Sequence, residues 1–233
     1  LVFGHGGDLG LEQGDGGELS GNPAKMQAVH SSSALGVNIF QYWQSIGQVS
    51  AIASACGFCR KANTVSEKIV FEDKYPVDDN SDIFRKAPNI DVVFHNNDSS
   101  QFKRFAVECK FSEAYGSQKH SGLKPAYLEL IQLWSDIPNL YNFAKSICPD
   151  ENFIYLHSAQ LIKHILGLKR KFGKNGFRLL YLWYDVLGKE GAVHRPAASP
   201  CADGAASEPV VGSSRFSRLR SLFGNQSSAA GSG

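Results

Sequence analysis

Apolar residues change their spacing several times along this chain, and each change marks an element. Over residues 35–56, Val37, Phe40, Trp43, Gly47 and Ala51 recur near helical spacing, which predicts a helix. Residues 68–77 (KIVFEDKYPV) read as a strand that Pro76 ends, and residues 89–94 (NIDVVF) as a second strand introduced by Pro88. The polar run His95-Asn96-Asn97-Asp98-Ser99-Ser100 is a turn, so the third strand, residues 102–111 (FKRFAVECKF), should pair with the second as a hairpin. Residues 126–147 read as mostly helical with a break near Pro138. Residues 151–167 read as a helix carrying Phe153, Leu156, Gln160, Ile162, Ile165 and Leu166. Residues 177–186 (FRLLYLWYDV) read as a buried strand after Asn175-Gly176. The order predicts an α/β unit whose mixed sheet contains a hairpin.

The third strand carries the candidate chemistry. Side chains alternate between the faces of a strand. Phe105, Val107, Cys109 and Phe111 therefore share an apolar face, while Ala106, Glu108, Lys110 and Ser112 share the other. On the second strand Asp91 sits between Ile90 and Val92, where a lone buried carboxylate is costly and needs a partner or a metal. Hairpin pairing would bring Asp91 towards Glu108, and a divalent cation would turn that repulsion into attraction. Two carboxylates suit Mg²⁺, which keeps several waters and binds alongside substrate phosphate. Lys110 would point to the same place, able to orient an attacking water and stabilise charge at phosphorus. A Glu-x-Lys on a strand is also, and commonly, a solvated face with a weak ion pair. Pattern and spacing leave both readings open.

These residues resemble a known family. Asn89-Ile90-Asp91 followed by Val107-Glu108-Cys109-Lys110 is similar to the signature of the PD-(D/E)XK nuclease superfamily, and the element order is similar to its restriction-endonuclease-like αβββαβ core. A bacterial restriction-endonuclease-like group within it resembles the chain more fully. The likeness runs through residues 33–40 (SALGVNIF), 69–72 (IVFE), 158–164 (SAQLIKH) and 178–186 (RLLYLWYDV), then His194-Arg195, and spans residues 28–195. The resemblance implies that Asp91 and Glu108 ligate the metal with help from the Cys109 carbonyl, and that Lys110 is the catalytic lysine. It also gives Glu72 a supporting role on the first strand and Gln160 one on the later helix. The chain departs from the pattern where Asn89-Ile90-Asp91 stands for Pro-Asp, and after Arg195, where Pro196-Ala197-Ala198-Ser199-Pro200 follows.

Charge and composition refine this picture. The net charge of +2 divides into −3 over residues 1–34, +4 over 35–195 and +1 over 196–233. Eight glycines within residues 4–22, and the Ser, Ala, Gly and Pro of residues 196–233, predict flexible ends at 1–27 and 196–233 around an α/β domain at 28–195. Residues 152–184 hold Lys163, Lys169, Arg170, Lys171, Lys174 and Arg178 and no acid. The first five are candidate phosphate contacts for DNA, which would position a duplex without reading its sequence; the bland alternative is a helix end whose cations complement the dipole. Five scattered cysteines fit reduced thiols in the cytoplasm, and the lone Cys56-Gly57-Phe58-Cys59 lacks the second pair a structural zinc site needs. His157 and His164, two turns apart, read as a chance pair or as DNA contacts. The uncharged stretch 31–59 is interrupted by Asn, Gln and Ser too often for a membrane span. Leu1 in place of Met suggests a piece of a longer protein. Neither a G-x-S-x-G elbow nor a phosphate-binding P-loop occurs in the chain.

The expectation is a cytoplasmic, Mg²⁺-dependent DNA endonuclease of restriction or repair type. Mn²⁺ would be able to replace Mg²⁺, and a homodimer would serve to cut two strands. The alternative is a catalytically inactive nucleic-acid- or protein-binding module on the same fold. A metal-dependent hydrolase of small phosphate esters is a third reading.

Overall fold

The order of elements follows the sequence pattern, with boundaries moved by a few glycines. The computed structural model describes residues 32–60, 65–80, 82–84, 87–111, 121–150, 153 and 156–183. The expected flexible ends, Ser112, Cys201, His194-Arg195 and residues 184–186 of the last strand lie outside the described residues.

The first predicted helix is two helices, α1 (Ser32–Ser45) and α2 (Val49–Ala55). Gly47 separates them at φ +67°, a left-handed conformation that an L side chain resists. Four strands follow: β1 (Ser66–Lys74), β2 (Asn89–Asn96), β3 (Arg104–Lys110) and β4 (Phe177–Trp183). They lie in the order β1-β2-β3-β4; the first two pairings are antiparallel and β3-β4 is parallel. A parallel pair needs a crossover. Here it contains a short 3₁₀ turn (Pro125–Tyr127), α3 (Ile131–Trp134), α4 (Pro138–Ser146) and α5 (Ser158–Phe172). The helix expected over 126–147 is thus three short pieces. The helix expected at 151–167 is displaced: α5 starts at Ser158 and runs through Gly167 to Phe172, ending before Gly173 at φ +74°.

The two sheet faces bury different things. On one face Ile69, Phe71, Val92, Phe94, Phe105, Val107, Cys109 and Leu180 pack under Val37, Phe40, Val49, Ala53 and Phe58. Phe58 stacks on Phe105 with ring centroids 4.8 Å apart, and Phe40 meets Phe94 edge-on at 5.8 Å. A Cβ on Gly36 of α1 would sit 3.4 Å from the Cys109 sulfur, so this helix lies directly on β3. On the other face Val93 and Ala106 meet Tyr75 and Leu168 of α5. Gly167 permits that approach, because a Cβ there would fall 2.2 Å from the Tyr75 carbonyl oxygen. A further apolar layer, including Trp134, Ile137, Leu140 and Ala144, covers Ala159, Ile162, Ile165 and Leu166 on α5. The result is a mixed four-stranded sheet flanked by helices, an α/β architecture consistent with a restriction-endonuclease-like core.

Candidate metal and catalytic site

The strand pairing builds the site by coming apart. The β2-β3 register runs from His95↔Arg104 to Val92↔Val107 and stops there. The next residues, Asp91 and Glu108, would have been partners. Instead the Cys109 backbone N–H donates to Asp91 Oδ2 at 2.7 Å, so a carboxylate takes the place of a strand carbonyl. Alternation puts Glu108 and Lys110 on the α5 side of β3, and the Cys109 side chain on the α1 side. Cys109 can therefore offer a ligand only through its backbone.

Glu108 is almost fully buried, at 1% exposure. Lys110 Nζ donates to its Oε1 at 2.7 Å, and His164 Nε2, from α5, donates to its Oε2 at 3.0 Å. Burial alone would raise the Glu108 pKa, but the hydrogen bonds and charges of His164 and Lys110 outweigh it and hold the carboxyl below its ordinary value. For Lys110, burial opposes the charged form, yet Glu108 and Asp91 raise its pKa and keep the ammonium protonated. Asp91 goes the other way. Burial, then the Glu108 charge, and to a smaller degree Glu72, push it up to about 7, against the pull of the Cys109 N–H and Lys110. Asp91 and Glu108 are thus two buried carboxylates whose charges oppose each other, a repulsion that a divalent cation would relieve.

The other predicted residues lie as follows. Glu72 falls between the pairs Phe71↔Val92 and Asp73↔Ile90, opposite Asp91, with its backbone at φ +52°. That is an uncommon conformation for a non-glycine residue and is beside the site. Gln160 is half-buried on α5, one turn before His164 on the same helix face. Lys163 has its ammonium 5.6 Å from the Tyr127 ring centre. Lys169 pairs with Asp136 Oδ1 at 2.7 Å, and Arg170 with Asp79 Oδ2 at 2.6 Å. Lys174 donates to the Asp136 carbonyl at 2.7 Å, and Lys171 is exposed. These last four sit where α5 ends and β4 begins, beside Arg104; Glu108 and Lys110 sit where β3 finishes. Along β3, Arg104 is four residues from Glu108 and six from Lys110, about 13 and 20 Å. The structure brings Asp91, Glu108 and Lys110 together and leaves the basic helix end apart from them.

His164 is the site residue that sequence reasoning passed over. Spacing alone groups it with His157, two helical turns away. The available signal was its place in the apolar stripe Leu161, Ile165, Leu168, which marks a polar ring turned into the protein.

The donor set suits one kind of ion. Among the described residues no cluster of three or more His, Cys, Asp or Glu is placed to hold a metal. Two neighbouring carboxylates are too few for a self-contained cage and leave room for the waters that a cation such as Mg²⁺ keeps. Among the described residues no helix is long and apolar enough to cross a membrane. Comparison with curated proteins and with solved structures gives no significant match. The family model described as "Restriction Endonuclease associating with ARP" matches residues 8–190, well over half of the chain. The chain with this splayed acidic pair and its lysine belongs to that restriction-endonuclease family.

Proposed function

We propose that this protein is a divalent-metal-dependent endonuclease that hydrolyses DNA phosphodiester bonds, with Mg²⁺ as its ordinary ion and Mn²⁺ as a working substitute. Family membership supports a nuclease-like role. The observation that carries the finer reading is the acidic pair itself: Asp91 and Glu108 lie side by side where the β2-β3 pairing ends, with the Lys110 ammonium on Glu108.

Asp91 and Glu108 would hold the cation, with the Cys109 carbonyl as a third protein ligand. The chemistry such an ion would supply is Lewis-acid polarisation of a phosphoryl oxygen and activation of water. Lys110, kept protonated by Glu108, supplies a fixed positive charge for the phosphate in the transition state. Glu72 adds negative charge next to Asp91, and Gln160 lines the same side of α5 as His164. The basic end of α5 would follow the duplex backbone at a distance from the scissile bond. Cutting both strands would call for two such sites, hence a homodimer.

The test is cleavage of supercoiled plasmid with Mg²⁺, Mn²⁺ or excess chelator. Wild-type protein should cut with either ion and not with chelator, and Asp91→Ala and Glu108→Ala should be inactive while remaining folded. Cutting in chelator, or by Asp91→Ala at the wild-type rate, would overturn the proposal. DNA binding with no bound ion and no cleavage would point to the non-enzymatic module.

A further inference from the structure

The geometry points to His164 as a positioning residue: from α5 it fixes the Glu108 carboxylate in the orientation that receives the cation. The inference rests on the metal-site reading above and adds a residue to it.

Three observations carry it. First, Leu161, Ile162, Ile165, Leu166 and Leu168 around His164 are buried and apolar, so packing here calls for a hydrocarbon side chain; the imidazole is nonetheless 1% exposed. Second, its Nδ1 is buried with no hydrogen-bond partner among the described residues, so the ring's polar commitment there is its Nε2–H bond to Glu108. A buried polar atom left unsatisfied destabilises a fold, so local stability does not account for this choice. Third, the two donors to Glu108 come from different layers. Lys110 holds Oε1 from β3 itself, while His164 holds Oε2 from the helix across the sheet face. Together they fix the plane of the carboxylate, and each oxygen keeps a lone pair free for a ligand bond. A partner that orients a metal-binding carboxylate affects affinity without touching the ion.

The experiment measures Mn²⁺ affinity by calorimetry on the full chain, with thermal melts of every variant. His164→Leu keeps the volume and removes the donor; it should weaken Mn²⁺ binding by about 10–100-fold. His164→Gln places an amide N–H near the position of Nε2 and should recover most of that loss. His164→Asn ends too short to reach Glu108 and should not, so the Gln and Asn pair carries the test if the Leu variant fails to fold. In ¹⁵N-histidine-labelled wild-type protein, Mg²⁺ should move the His164 Nε2 resonance in step with binding. Equal Mn²⁺ affinity in the Gln and Asn variants, or a His164 resonance that ignores Mg²⁺, would overturn the inference while leaving the metal site standing. Wild-type protein that binds neither ion would instead remove the metal-site reading beneath it.

Discussion

Replacing Asp91 with Asn should make the ion-free protein more stable above neutral pH. The native Asp91 pKa lies at about 7 against an ordinary 3.8, so folding favours the protonated form. For an acid raised in this way, the stabilising contribution is fully present below about pH 4. It is lost as pH climbs through about 7. Asn resembles the protonated acid, and its Oδ1 can still accept the Cys109 N–H. A shift of about three units at 1.36 kcal/mol each sets a ceiling of about 4 kcal/mol. Relaxation around the site reduces this, and a gain of about 2–4 kcal/mol at pH 8 is expected. For a domain of this size that raises Tm by about 5–15 °C. The assay is a set of urea and thermal melts in chelator from pH 4 to pH 9. The two proteins should coincide near pH 4, diverge between 4 and 7, and run parallel above. Added Mg²⁺ should close part of the gap, since only Asp91 gains the ion. An Asn protein no more stable than wild type at pH 8, or a difference that ignores pH, would refute the reasoning about the acidic pair.

Lys110→Met keeps the hydrocarbon stem but takes the ammonium from Glu108 Oε1; plasmid cleavage should fall about 100-fold or more, and calorimetry should still find bound Mn²⁺. Unchanged cleavage would remove the lysine from the chemistry. Gly167→Ala sets a methyl 2.2 Å from the Tyr75 carbonyl oxygen. It should destabilise the protein by about 1–3 kcal/mol in a melt, against alanine's better helix propensity, and a stabilised variant would show that α5 is not seated there. Lys171→Glu at the exposed helix end should lower the slope of log affinity against log salt for duplex DNA by about 1. A slope identical to wild type would place the duplex elsewhere.

The sheet was the most legible part of the fold, because strand alternation is a strict two-residue rhythm. The contrast between Phe105, Val107 and Cys109 on one side and Ala106, Glu108 and Lys110 on the other appears in the structure as two differently packed faces. Helix boundaries were less legible because glycine plays opposite parts. Gly47 ends a helix, yet it falls at helical spacing from Trp43 and Ala51 and so reads as part of one continuous helix. Gly167 looked like a terminus and is an interior residue that lets α5 approach Tyr75, a tertiary requirement that no local pattern encodes. At the site, the three residues of one hairpin could be grouped from local spacing. His164 reaches Glu108 over 56 positions of chain, and only the crossover that makes β3 and β4 parallel brings it there. The separation of the basic helix end from Glu108 follows from the direction of α5 relative to β3, which composition cannot reveal.

Cys109 lies between Glu108 and Lys110, facing the opposite way and resting against Gly36. A strand is a stiff pleat, so its two surfaces cannot be adjusted separately. The small Gly36 therefore acts as a spacer for chemistry on the far side: a side chain larger than alanine there would lever Cys109, and with it Glu108 and Lys110 in the same stroke. Mutational sensitivity of the reaction should extend into α1, which packs on the face of β3 opposite Glu108 and Lys110.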